Sequence, residues 1–111
     1  GTLTDTVNNL MWMKGNQDHS WQYSSDMCSN RVRDGIPWRL PIPEESELYL
    51  LDEEVDGCYA PAIFNGCREL WFWTSEVSGS LAKAVSYQLK RTQGKDRSTR
   101  FTNGVKCVRD L

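Results

Sequence analysis

Seven cationic side chains, Lys83, Lys90, Arg91, Lys95, Arg97, Arg100 and Lys106, follow one another with a single acid, Asp96, between the first and the last. Ammonium and guanidinium groups make short, charge-assisted hydrogen bonds to sulfate, phosphate and carboxylate. Clustered, they also raise the local concentration of anions. The segment is therefore the candidate ligand-binding face, with a sulfated glycan or another polyanion as its ligand. The competing reading is that these charges only guard edge strands against pairing with other chains. Residues 77–111 hold 8 Lys/Arg against 2 Asp/Glu, and residues 1–76 hold 5 against 13, so the formal net charge of −2 conceals balances of +6 and −8.

Four cysteines, Cys28, Cys58, Cys67 and Cys107, are the other chemically distinctive group. They show no paired CxxC spacing, and His19 is the sole histidine. Zinc sites ordinarily need two close pairs, or cysteines with histidines. Two disulfides are expected instead, with no metal and no cofactor, and with them an oxidising compartment: extracellular, cell-surface or periplasmic. Four buried thiols are the alternative.

The remaining candidates for chemistry are weak. His19 lies on a polar loop with no nucleophile or orienting acid in view. Asp52, Glu53, Glu54 and Asp56 lack the Gly and Glu positions of a calcium loop and read as a solvated acidic stretch. Glu44, Glu45 and Glu47 follow Pro43 where a helix begins and serve its positive end. Arg39, between Trp38 and Leu40, reads as the ion-pair partner of Glu45 or Glu47. Trp12, Trp38, Trp71 and Trp73 are expected in the core and Trp21 half exposed. The expectation is a non-enzyme.

These groups need a scaffold. A chain of 111 residues, 39% hydrophobic and 25% charged, makes one domain, residues 1–111, of ordinary globular composition. No apolar run approaches the ~20 residues that span a bilayer. The chain opens on Gly1 with no signal peptide, the pattern of a mature or excised domain. Two short strands are predicted between Thr2 and Lys14, then a polar loop from Gly15 to His19. A helix capped by Ser20 should run to about Arg33, with Trp21, Ser25, Cys28 and Val32 on one face. A second helix from Pro43 to about Asp52 should bury Leu48 and Leu51. Residues 52–70 read as an irregular acidic loop. Leu70 to Thr74 is a strand, Ser75 to Ser80 a loop, and Ala84 to Arg91 a strand with Val85, Tyr87 and Leu89 inward. Thr92 to Ser98 reads as a charged loop. Asn103-Gly104 should turn a hairpin between Thr99–Thr102 and Val105–Arg109. Strands, two helices, then strands make an α+β domain with two helices packed on antiparallel strands.

Four segments in order carry a family resemblance: Thr4-Asp5-Thr6 with Leu10-Met11-Trp12; Trp38-Arg39-Leu40-Pro41 with Glu45, Glu47 and Leu48; Trp73-Thr74-Ser75; and Lys106-Cys107-Val108-Arg109. The chain resembles the bacterial domain family at the C-terminus of the Legionella collagen-like adhesin, over nearly its whole length. Lys106 stands where that family usually carries Arg. The resemblance implies a C-type-lectin-like fold, with Cys28 paired to Cys107 and hence Cys58 to Cys67. It also implies a secreted or cell-surface adhesion module of bacterial origin and, by analogy with the adhesin, glycosaminoglycan binding. The partner would be a polyanionic glycan or a host or surface protein. Nucleic acid and membrane insertion are not expected, and an oligomer is possible. The alternative function is a protein–protein or assembly module of a pilus or other surface structure, using exposed aromatics and the loop 52–70.

Overall fold

The computed structural model describes residues 1–13 and 17–111, with Arg33 described through its backbone. The expected end of the second strand at Lys14, and the start of the polar loop at residues 15–16, lie outside the described residues. Among the described residues the architecture is α+β, with two helices, three sheets and two disulfides. In chain order the elements are β1 (Thr2–Asp5), β2 (Leu10–Met13), β3 (Gln17–His19), α1 (Trp21–Ser29), β4 (Val32–Arg33), β5 (Ile36–Pro37), α2 (Pro43–Glu47), a 3-10 turn (Ala62–Phe64), β6 (Phe72–Ser78), β7 (Leu81–Ser86), β8 (Arg91–Asp96), β9 (Asn103–Val105) and β10 (Val108–Asp110).

One sheet has the order β1-β2-β10, so the two ends of the chain meet: Val108 lies opposite Trp12 and Arg109 opposite Met11. The larger sheet has the order β3-β9-β6-β7-β8, antiparallel except where β6 runs parallel to β9. Its centre is buried on both faces, whereas its edge strand β8 is largely exposed. Trp73 and Ala84 lie opposite each other, and successive side chains alternate between faces, so Phe72 and Val85 point the other way. Trp73, Ala82 and Ala84 pack with Cys28, Trp38, Leu40 and Cys107. Phe72 and Val85 pack with Leu10, Trp12, Phe64, Tyr87 and Val108. The Cys28–Cys107 bridge crosses the first cluster and is fully buried. The four tryptophans expected in the core, Trp12, Trp38, Trp71 and Trp73, are all buried, and Trp21 is half-buried.

Several expectations are corrected. The first helix ends at Ser29, not Arg33, and Val32 is exposed. Asp34 and Gly35 both take positive φ, the pattern of a type I′ turn, and fold β5 back onto β4. The second helix is a single turn that buries Pro43 and Ser46, whereas Leu48 is exposed and Leu51 only half-buried. Residues 17–19, expected in a loop, form an edge strand on β9. The expected loop 75–80 is mostly strand, since β6 continues to Ser78 past an irregularity between Trp73 and Val77. The inner strand starts at Leu81 and ends at Ser86, so Leu89 and Lys90 lie in the turn after it and Leu89 is exposed. The expected charged loop 92–98 belongs to the edge strand β8 as far as Asp96, with only Arg97 and Ser98 beyond it.

The Asn103-Gly104 hairpin does not form. Gly104 takes no positive φ; it is extended within β9, and its amide donates to the Trp71 carbonyl at 2.7 Å. A Cβ there would stand 2.8 Å from the Glu69 Cβ and 2.9 Å from the Phe72 ring. This glycine serves close approach between strands, not a turn.

Candidate functional site

Strand β8 positions the cations, and its register decides which of them share a face. Lys95 lies opposite Ala82, Gln93 opposite Ala84 and Arg91 opposite Ser86. Ala84 in turn lies opposite Trp73. Arg91, Gln93 and Lys95 therefore stand on the Trp73 face. Because Ala82 and Ala84 are small, the Lys95 chain can lie along the sheet, and its ammonium sits over the Trp71 ring at 4.1 Å from the centroid. Arg97 follows β8, and its guanidinium lies 5.3 Å from the centre of the Trp21 ring. Its Nε donates to the Gly79 carbonyl at 2.8 Å, and its backbone amide to Ser80, which fixes the chain beside the β6–β7 turn. Arg100 is exposed, 5.7 Å from the Phe101 ring centre. Beside these cations, Trp71, Lys95, Asp96, Phe101, Thr102 and Asn103 line an open cleft of about 300 Å³.

The seven cations do not form one patch. Lys83, between Ala82 and Ala84, points to the opposite face, where it pairs with Glu76 at 2.8 Å and also feels Glu44 and Glu47. Lys90, at φ +54°, hydrogen-bonds the Asp52 carbonyl at 3.2 Å and lies over the Tyr59 ring, so it belongs to the 52–70 region. Lys106 is a correction: only 2% of it is exposed, so it cannot belong to a surface site. Its ammonium sits over the Phe64 and Phe72 rings, 4.9 and 5.8 Å from their centroids, and burial pulls its pKa down to about 8. Arg91, Lys95, Arg97 and Arg100 remain: Arg91 and Lys95 share one face of β8, Arg91 and Arg100 are exposed, and Lys95 and Arg97 are half-buried. None of the four has a carboxylate within salt-bridge distance among the described residues. The aromatic partners Trp21, Trp71 and Phe101 have no signal in the sequence that assigns them to this face.

Arg39 does what its sequence context suggested. Its two terminal nitrogens hold both oxygens of Glu45 at 2.6 and 2.8 Å, and one also reaches Asp110 at 3.0 Å. Glu45 in turn accepts the Ile42 amide that precedes α2. Hydrogen bonds from Arg39 and Ile42 outweigh burial and hold the Glu45 carboxyl below its ordinary value of 4.5. The group ties α2 to β10 and is a structural ion pair. A second tie, which the sequence does not announce, runs from the Trp12 indole through the Tyr49 hydroxyl to Asp5. There Tyr49 holds the Asp5 carboxyl below its usual range. His19 contacts Gln17 at 2.9 Å and packs at a tilt against the Tyr23 ring. Among the described residues no three His, Cys, Asp or Glu side chains gather as metal ligands.

A small α+β domain stapled by two disulfides, with a cationic edge strand and no helix among the described residues long and apolar enough to cross a membrane, is the class of protein seen here. The profile of the Lcl C-terminal domain family matches residues 1–109, and the chain belongs to that family, an adhesin-associated one. No curated protein and no solved structure matches the chain. The disulfide pairing implied by the resemblance is the one present, Cys28 with Cys107 and Cys58 with Cys67. Two disulfides are consistent with an extracellular or surface domain.

Proposed function

We propose that this is a ligand-binding module of a secreted or surface adhesin, without enzymatic activity, that holds sulfated polysaccharide on Arg91, Lys95, Arg97 and Arg100. The observation that carries the reading is the state of those charges. Aromatic rings, not carboxylates, support Lys95, Arg97 and Arg100. Stacking on a ring orients a cation without neutralising it, so its hydrogen-bond donors stay available to sulfate. Lys83 provides the contrast, since Glu76 already answers its charge. Edge protection by β8 and anion binding are compatible, because both need exposed positive charge on the same strand. The joined chain ends, the Cys28–Cys107 bridge and the two helices on antiparallel strands support a C-type-lectin-like reading of the fold.

Chromatography on immobilised heparin tests the reading. The domain should be retained at about 0.15 M salt and released as screening increases. Lys95→Gln with Arg97→Gln should elute distinctly earlier, and Lys83→Gln should elute with the wild type. Passage of the wild type in the void volume, or equal shifts for Lys83→Gln and the double variant, would sink it.

A further inference from the structure

The 52–70 segment is more ordered than its composition suggests, and it encloses a hollow. Val55 and Cys58 exchange backbone hydrogen bonds across the Asp56-Gly57 turn. The Leu51 amide donates to the Tyr59 carbonyl at 2.7 Å, and the Tyr59 amide to the Tyr87 carbonyl at 2.8 Å. The Cys58–Cys67 bridge closes the segment. Gly66 lies so close to the Tyr87 ring that a Cβ would stand 2.9 Å away. Between these fixed walls is an opening of about 340 Å³, with Leu51, Val55, Ala60, Pro61, Ala62 and the disulfide among its lining. That is near the small end of the ~300–1,000 Å³ typical of ligand pockets, which suits one bulky side chain better than a folded surface. Val55, 60% accessible, extends the apolar lining to the surface.

The surroundings select the partner. Asp52, Glu53, Glu54 and Asp56 are all exposed, and none is in an ion pair among the described residues. Asp56 and Arg68 both line the opening, the other three acids stand beside it in the chain, and Lys90 reaches the Asp52 carbonyl, so acids outnumber cations four to two. An acidic surround repels fatty-acid anions and polyanions and favours a cationic partner.

We propose that this hollow docks a positively charged polypeptide segment, which inserts one aliphatic or aromatic side chain between Leu51, Val55 and Ala62 while its Lys or Arg residues meet the acids of residues 52–56. The reading goes beyond polysaccharide binding and does not depend on it, because β8 takes no part. The test titrates the intact, isotope-labelled domain with a short peptide carrying a central Trp flanked by lysines, and with its glutamate-flanked counterpart. Amide shifts should concentrate at residues 51–68, with the lysine peptide binding about fivefold tighter or more at low salt. Ala62→Trp, which fills the opening from an exposed position, should abolish the shifts. Glu53→Lys with Glu54→Lys, both exposed, should reverse the preference between the peptides and stands as a second arm if Ala62→Trp misfolds. No shifts at millimolar peptide, equal binding of both peptides, or shifts centred on β8 would overturn the proposal. So would concentration-dependent self-association that Ala62→Trp abolishes, since the occupant would then be a second copy of the chain.

Discussion

Arg39 binds two carboxylates, and their different surroundings predict very different consequences of losing each. The Glu45 side chain is 14% exposed and the Asp110 side chain 74%. Glu45 accepts two guanidinium contacts and the Ile42 amide, whereas Asp110 accepts one guanidinium contact. A hydrogen bond to a charged group contributes about 1.5–3 kcal/mol when shielded, and an exposed ion pair about 0–1 kcal/mol. Glu45→Gln keeps the shape and one acceptor but loses the charge, so it should cost about 1–2 kcal/mol. Asp110→Asn should cost less than about 0.5 kcal/mol. For a domain of this size about 1 kcal/mol shifts Tm by about 4 °C, which separates the two variants clearly in thermal or urea unfolding. The pH dependence adds a second constraint. Because the folded-state carboxyl of Glu45 titrates below its ordinary value of 4.5, its contribution is fully present above that value and disappears as pH falls through the folded one. The gap between wild type and Glu45→Gln should therefore be constant from about pH 5 to pH 8 and close below about pH 4.5. Equal losses for the two variants, or a gap unchanged at about pH 3, would refute the assignment of the energy to this shielded pair.

Three further outcomes rest on the same structure. Thiol alkylation without reduction should label no cysteine; closing 79 residues stabilises by about 4.5 kcal/mol in the chain-entropy model and closing 9 by about 2.6, so removing Cys28–Cys107 should lower the urea midpoint more than removing Cys58–Cys67. Lys106 has a folded-state pKa of about 8 against 10.5 unfolded, so the unfolded chain binds more protons between those values and wild-type stability should rise across that window; in Lys106→Met the rise attributable to this group should vanish from unfolding curves taken at several pH values. Gly104→Ala should destabilise by about 1–3 kcal/mol, because the added methyl meets Glu69 and Phe72, and calorimetry that finds it neutral would contradict the close packing of β9 on β6.

How much was legible depended on whether a residue's neighbours in sequence were also its neighbours in space. The Arg39–Glu45 pair spans six positions and could be anticipated from the Pro43 start of α2. The four core tryptophans followed from size and apolarity alone. Strand β8 was missed because its residues, Arg91 to Asp96, carry no apolar alternation: it is an edge, and both its faces at that point are largely wet. Asn103-Gly104 misled because a glycine permits a turn without requiring one, and only the approach of Glu69, distant in sequence, reveals its purpose. Asp34-Gly35 carried the same kind of signal and did turn the chain, against a helical spacing of apolar residues that extends to Val32.

Composition and motif order by themselves determined the α+β class, the disulfide count, the family and the positive charge of the last third, because these depend on which residues are present and in what order. The partition of that charge was a tertiary decision. Strand alternation sends Lys83 to Glu76 on one face and Lys95 to Trp71 on the other, and burial between two phenylalanine rings removes Lys106 from the surface altogether. Of the seven cations, Arg91 and Lys95 share one face of β8 while Lys83 turns to the other face of the sheet and Lys106 is buried, because register and packing, not sequence proximity, decide which side chains meet solvent together.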